Sequence, residues 1–395
     1  MSEAEIETTA PAEPPSAPPP EEGTERSYSR GRADKERKFP CHKCGADLNF
    51  TPGQEVLKCP YCGYEEHIPQ TEAEIKEYSF NDYLAKPKQK GYGGVPGQRR
   101  EVRCQGCGGT TTFDASVRST KCPFCASPLV LDDGNEVHDE DVIAPEALIP
   151  FVITEQQADS AFRKWIKSLW FAPNALKNEH SIARKIQGVY RPFWTYDAHT
   201  VSHWTGERGD AYYVTQTYTT VVNGKTVTRT RQVRKIRWTY VSGIYREFFD
   251  DVLIRAGKNT DKPTRYHLKD LKPYSPDYLS GFGAERYQVS LNDGWHSAKE
   301  VIAEGIRSGV RSQIGGDEQR IHTVNTAYSG VTYKHILLPL WLSCYHYASK
   351  LYCFQVNGQT GEVAGDRPYS FWKIFFFVLF ILGLIAIGFA LANQH

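Results

Sequence analysis

Eight of the ten cysteines in this 395-residue chain fall into two sets with one spacing. Cys41-His-Lys-Cys44 is followed after fourteen residues by Cys59-Pro-Tyr-Cys62, and Cys104-Gln-Gly-Cys107, again after fourteen, by Cys122-Pro-Phe-Cys125. A Cys-x-x-Cys turn presents two thiolates to one ion, and two such turns joined by a hairpin complete a tetrahedral shell. Four thiolates leave no position for water, so the chemistry expected of each set is structural binding of Zn2+, two ions in all. Gly45 and Gly108, Phe50 and Phe113, Lys58 and Lys121, and Pro60 and Pro123 recur at the same offset as the cysteines, which makes the second set a duplicate of the first.

Other chemistry for the same residues is distinguishable. Disulfides belong to oxidising compartments, and a redox Cys-x-x-Cys pair needs neither a partner pair nor a duplicate. Rubredoxin-like iron uses the Cys-Pro-x-Cys-Gly knuckle seen at Cys59–Gly63, but on a longer interval; that alternative would make the chain an electron-transfer protein. Cys344 and Cys353 sit in an aromatic, strand-like stretch and read as buried small hydrophobes rather than ligands. Asp197, His199 and His203 alternate along a strand and offer a metal or acid–base cluster, against the ordinary reading of satisfied strand histidines. No Gly-x-Ser-x-Gly, Gly-x4-Gly-Lys-Ser/Thr or His-Glu-x-x-His motif is present, and a non-enzymatic protein is expected.

The elements that must position these groups divide the chain into an acidic-then-basic disordered tail (1–38), ribbon 1 (39–70), a linker (71–100), ribbon 2 (101–132), an aromatic, mainly antiparallel α+β domain (145–368) and a terminal apolar helix (374–392). In the domain, Thr154 caps an amphipathic helix running from Glu155 to Trp170. Val189–Trp204 alternates as a strand, and 211–241 forms a hairpin around Asn223-Gly224. A second helix is expected over Ser297–Gln313, stopped by Gly315-Gly316, then strands over 335–349 and 351–356. Tyr190-Arg-Pro-Phe-Trp194 and Leu338-Pro-Leu-Trp341 each follow a helical segment and open a strand, a weak sign that the domain repeats one unit.

With 47 Lys+Arg against 46 Asp+Glu, the chain as a whole is not built to grip a polyanion. The basic residues are local. Lys225, Arg229, Arg231, Arg234, Lys235 and Arg237 line one arm of the hairpin, a β-ribbon suited to phosphates of lipid or nucleic acid, or else a solvated, edge-protecting strand. Ribbon 2 carries Arg99, Arg100, Arg103, Arg118 and Lys121, so of the two ribbons it alone suits phosphate contact.

Ile374–Ala392 contains nineteen residues without a charge, about 28 Å of helix, which matches the roughly 30 Å hydrocarbon core of a bilayer. Tyr369 and Trp372 stand where interfacial aromatics belong. Arg367 and Lys373 on the N-terminal side make the expected topology a C-terminal anchor with the bulk of the chain cytoplasmic.

The paired knuckles, the segment Ile186-Gln-Gly-Val-Tyr-Arg-Pro-Phe-Trp-Thr-Tyr196, and Val356-Asn-Gly-Gln-Thr-Gly-Glu-Val363 before a terminal hydrophobic helix resemble bacterial membrane-anchored zinc-ribbon proteins. These are often labelled TFIIB-type, and some carry a primosomal helicase N′ label that a chain without a nucleotide-binding loop does not support. The resemblance covers roughly 40–393. It implies action with flotillin-like or phage-shock-type membrane-stress proteins. The function expected is that of a tail-anchored zinc-binding adaptor recruiting protein partners to the membrane; a membrane-tethered nucleic-acid binder using ribbon 2 and the 225–237 arm is the alternative.

Overall fold

The computed structural model describes residues 39–70, 73–85, 99–104, 110–114, 119–122, 128–130, 143–177, 186–222, 225–257, 264–347 and 350–392. The expected tail 1–38, the Asn223-Gly224 turn, and Cys107 and Cys125 lie outside them.

Ribbon 1 is a three-stranded antiparallel sheet of β1 (Asn49–Phe50), β2 (Val56–Lys58) and β3 (Glu65–His67). After it come β4 (Tyr78–Ser79) and the short helix α1 (Phe80–Ala85). Two two-stranded pairs follow, β5 (Arg99–Arg103) with β6 (Thr110–Asp114) and β7 (Ser119–Lys121) with β8 (Pro128–Val130).

The body is one large sheet with two helices. Its elements are β9 (Ala147–Leu148), α2 (Glu155–Ser168), β10 (Gln187–Val222), β11 (Lys225–Arg255), β12 (Lys272–Pro273), β13 (Gly283–Ala284), α3 (Leu291–Ile314), β14 (Glu318–Tyr347), β15 (Lys350–Asn357) and β16 (Val363–Gly365). The strands run in the order β11-β10-β14-β15-β16, antiparallel throughout. Helix α4 (Phe371–Ala392) closes the described chain.

Both body helices start where their caps place them. Thr154 and Gln157 exchange side-chain and backbone bonds in a capping box, and Ala158, Phe162 and Ile166 bury one face. Helix α3 begins six residues before the expected start because the Ser290 side chain accepts the Asp293 N–H. Gly315, at φ 64°, ends it.

The weak Pro-x-Trp echo becomes a real duplication in three dimensions. The Trp194 indole N–H donates to the Val289 carbonyl at 3.0 Å, and the Trp341 indole N–H to the Ile153 carbonyl at 2.8 Å. Each acceptor immediately precedes a helix cap, Ser290 or Thr154. The same correspondence pairs β13 in parallel with Val189–Tyr190 and β9 with Ile336–Leu337, and sets Tyr287 on Trp194 at 5.0 Å as Phe151 sits on Trp341 at 4.9 Å. Two large cores result, one built on Trp194 and α3 and the other on α2, Phe151 and Trp341, with a smaller cluster around Ile149 and Leu338. The halves meet where Arg191 faces Leu338 across β10 and β14.

Sequence patterning placed a strand end at Trp204 and a new hairpin at 211; β10 instead runs unbroken for 36 residues. The Gly206-Glu-Arg-Gly209 stretch is strand because its glycines admit crowded neighbours. A Cβ at Gly206 would lie 2.4 Å from the Arg320 carbonyl oxygen, and one at Gly209 2.8 Å from Ile236. The linker also does more than connect. Strand β4 pairs with β14, and Phe80 is buried against Tyr196 and Trp295.

Cys344 and Cys353, read from the sequence as buried bystanders, are directly opposed on β14 and β15 and form a disulfide. They are half-buried. The missing signal was register, since two cysteines nine apart become cross-strand neighbours only when Tyr347 pairs with Lys350.

Among the internal positions at which the two halves differ is a charged pair. Arg191 and Glu285 form a buried ion pair at 3.2 Å, with side chains 3% and 0% exposed, where the equivalent residues, Leu338 and Ile149, pack as hydrophobes. Removing one partner strands a buried charge, so Glu285→Ala is expected to cost about 3–5 kcal/mol. Arg191→Leu combined with Glu285→Ile, which copies the other half, recovers more than half of that loss. Denaturant titration of the detergent-solubilised full chain by near-UV circular dichroism measures both; equal stability of Glu285→Ala and wild type would refute the assignment.

Candidate metal centre

The two knuckles of ribbon 1 are built alike. In the first, the Cys41 N–H donates to the Ala46 carbonyl at 2.6 Å and the Gly45 N–H to the Cys41 carbonyl at 2.8 Å; in the second, Cys59 N–H bonds Tyr64 at 2.8 Å and Gly63 N–H bonds Cys59 at 3.1 Å. Gly45 and Gly63 stand at φ 74° and 71°, backbone that a side chain at either position would strain. Strands β1, β2 and β3 bring the knuckles face to face.

All four sulfurs lie within 4.8 Å of one another, with Cys41 and Cys62 at 3.4 Å and Cys44 and Cys59 at 3.5 Å. Four sulfurs around one tetrahedral ion with metal–sulfur bonds of about 2.3 Å would stand about 3.8 Å apart. The cage fits: these four residues could hold one metal ion. Cys41 and Cys59 are buried, while Cys44 and Cys62 face solvent.

Their electrostatics point the same way. The Cys62 backbone N–H, with that of Tyr61 behind it, outweighs burial and holds the Cys59 thiol down at about 6. The Ala46 N–H lowers Cys44, yet the sulfurs of Cys59 and Cys62 push it up to about 12. At Cys62 the Tyr64 N–H lowers the thiol, but burial and the Cys41 sulfur leave it raised. One thiolate forms readily and opposes the next, so all four sulfurs ionise together only beside a cation.

Ribbon 1 is also part of the body's core. Cys41, Leu48, Phe50, Leu57, Cys59 and Ile68 pack in one cluster with Phe151, Tyr190 and Tyr278. The Phe50 N–H donates to the Ser280 carbonyl at 3.0 Å and the Gly53 N–H to the Phe151 carbonyl at 2.9 Å. Reading the ribbon from the sequence as a small module on a flexible string missed this docking, because the acceptors lie more than 90 residues away. In ribbon 2, Cys104 and Cys122 are buried; the side chains of Arg99, Arg100, Arg103, Arg118 and Lys121 are outside the described set.

The other sequence candidates separate. Asp197 is buried and accepts the Asp251 N–H at 2.7 Å and the Thr332 hydroxyl at 2.7 Å. His199 lies exposed against the Phe248 ring at 4.4 Å, and His203 is exposed. A register shift around Asp197 divides it from the histidines. Asp197 meets Asp250 and Asp251 instead, a grouping invisible in the sequence because it joins two strands. The Lys334 ammonium reaches Asp251 at 2.7 Å and Glu77 at 3.0 Å and supplies the local positive charge. Burial raises the Asp250 carboxyl.

The basic residues are placed on the arm of β10 and β11. Lys225, Arg229, Arg231, Lys235 and Arg237 fall on one face at alternate positions of β11, opposite Val222, Tyr218, Gln216, Tyr212 and Asp210. Arg234 falls on the other face and pairs with Glu318 at 2.7 Å. Arg231 leans across to Gln216 at 2.9 Å and over the Tyr218 ring.

Helix α4 is long and apolar enough to cross a membrane over Phe371–Phe389. A sheet-rich body with a four-cysteine cage and one such helix defines the architecture. No family model matches the chain, and no solved structure matches it. It is similar to a Bacillus subtilis (strain 168) protein designated Uncharacterized protein YdjG, 29% identical over 353 residues, which are 85% of this chain and 91% of that one.

Metal held by the ribbon 1 cage requires deprotonated sulfurs, so acidification releases it and neutral pH restores it. Cys59→Ser is expected to lower bound metal by one ion per chain in elemental analysis. Unchanged metal content would show that the cage is not a metal site.

Proposed function

We propose that the protein is a membrane-anchored, zinc-stabilised adaptor that is not an enzyme and that presents its β10–β11 arm to protein partners on the cytoplasmic side. The observation that carries this reading is the arm itself. After Trp341, β14 runs six residues to its end at Tyr347; after the equivalent Trp194, β10 runs 28 residues to Val222. The repeated unit does not need that length. Strand β14 stops pairing at Gly209, and the last thirteen pairs, Asp210–Arg237 to Val222–Lys225, form a two-stranded ribbon about 40 Å long. Bare two-stranded ribbons are marginally stable in water, and Tyr212, Tyr213 and Tyr218 stand exposed on this one, the residue type that interfaces favour.

Zinc suits an all-sulfur tetrahedral cage and leaves no open coordination position, which supports a structural rather than a catalytic metal. Two ions, the second in ribbon 2, complete the reading. Flotillin-like or phage-shock-type membrane-stress proteins are the partners that the family resemblance implies. Arg367 and Lys373 on the N-terminal side of α4 support a cytoplasmic bulk; in that reducing compartment Cys344 and Cys353 would stand as a dithiol in the same cross-strand site. Crosslinking and pull-down from native membranes tests the adaptor role. Replacing 212–235 by a two-residue turn is expected to remove partners that wild type retains, and Cys41→Ser and Cys104→Ser report the contribution of each ribbon. A partner list unchanged by shortening the arm would defeat the reading.

One observation favours a second reading, a membrane-tethered nucleic-acid binder. Five cations share one face of the arm, and Asp210, the sole carboxylate between 210 and 237, is paired with Arg208 at 2.9 Å. A two-stranded ribbon fits the DNA major groove. That reading predicts duplex binding by the full chain in nanodiscs that weakens steeply between 50 and 200 mM salt, roughly 10²-fold or more for about five phosphate contacts. Absence of binding at the lower salt eliminates it.

A further inference from the structure

The segment that leaves α2 reads Leu169-Trp170-Phe171-Ala172-Pro173, five apolar residues in a connection. Leu169 and Ala172 point into the core. Trp170 does the opposite and is 74% exposed. With the exposed Tyr369, Phe371 and Trp372 around the start of α4 it adds to an apolar aromatic surface of the kind that marks an interaction site.

The loop is clasped to the start of α4. The Lys373 ammonium donates to the Ala172 carbonyl at 2.8 Å, to the Asn174 side-chain oxygen at 2.7 Å and to the Trp170 carbonyl at 3.3 Å. The Ser370 N–H donates to the Phe171 carbonyl at 2.8 Å. Lys373, which flanking-charge logic treats as a free cation at the membrane surface, is occupied with holding this loop. The Phe171 ring meets the Phe377 ring at 5.4 Å. Phe377 lies three residues inside the apolar run that starts at Ile374, about 4–5 Å along the helix axis, so Phe171 sits level with the first turn of the membrane-crossing stretch. Tyr369, Phe371 and Trp372, just before this turn in the chain, are exposed.

From this arrangement we infer that the Leu169–Pro173 loop is a second membrane contact, with Trp170 and Phe171 entering the boundary between lipid headgroups and acyl chains beside α4. The inference rests on the reading that α4 crosses the bilayer. The occupant is a lipid surface because the loop is continuous with that crossing helix, and because Trp is the side chain whose apolar ring and N–H suit the interface. Lys167, in the last turn of α2, and Arg367, over the Tyr369 ring, add positive charge suited to anionic headgroups. With the loop seated, the body is held to the bilayer at two points and does not swing about the junction before α4.

The test uses the full chain reconstituted in phosphatidylcholine–phosphatidylglycerol vesicles in which the phosphatidylcholine carries bromine at a shallow acyl position. Among the described tryptophans, Trp170 and Trp372 are the strongly exposed ones, so Trp170→Phe and Trp372→Phe are each expected to cut the bromine-quenchable emission about twofold. Trp170→Tyr reads the same way and guards against an effect peculiar to Phe, and unchanged metal content reports an intact fold. If Trp372→Phe lowers the quenchable signal while both Trp170 variants match wild type, α4 is inserted and the loop is not, which overturns the inference alone. If no variant changes it, α4 is outside the bilayer, and the anchor reading falls with the inference.

Discussion

Everything in the body is arranged around the antiparallel pairing of β10 with β14 and the two indole bonds that tie it to the helices. Trp194 and Trp341 stand on the two strands on either side of the Arg191–Leu338 pair, and each reaches the carbonyl just before a helix cap. A tryptophan in that position links three things: it fills a core, satisfies its buried N–H, and sets where a helix begins. Because the arrangement occurs twice, each half positions the other's helix: Trp341 on β14 holds α2, and Trp194 on β10 holds α3. The halves are therefore interdependent, and the sheet between them is the element neither can lose.

The metal cage depends on this body as well as on its own sulfurs. Small metal modules usually hold themselves together because they cannot bury enough surface. Here Phe50, Leu57 and Cys59 belong to the same cluster as Phe151 and Tyr190, so the ion would stabilise a ribbon that is already part of a larger core. Its knuckle tips stay outside: Tyr61 is 83% exposed. A docked ribbon with an exposed tip has a fixed direction, which a module on a flexible string lacks.

The arm and helix α4 lie at opposite ends of β10. Helix α4 starts beside α2, which packs on Tyr345 and Phe354 near the Gln187 end; the arm ends at Val222, about 115 Å away along the strand path. The sequence alone leaves open that cations 225–237 rest on a lipid surface. That length of strand separates the arm's cations from α4, whereas the loop after α2 is the part of the body that meets α4 directly.

What the sequence determines alone is what depends on local spacing. The Cys-x-x-Cys pairs, the Thr154 cap, the basic alternation of β11 and the uncharged run of α4 are each legible within about twenty residues, because capping, knuckle geometry and strand alternation are short-range physics. Tertiary structure decided the rest. The stretch between Trp204 and 211, which patterning leaves between two strands, is continuous strand with Arg320 and Ile236 against Gly206 and Gly209; Asp197 separated from His199 and joined Asp251; Cys353 met Cys344; and Lys373 turned from a flanking charge into the clasp of the α2 loop. In each case the deciding partner lies on another strand or across the domain, at a register that no local pattern specifies.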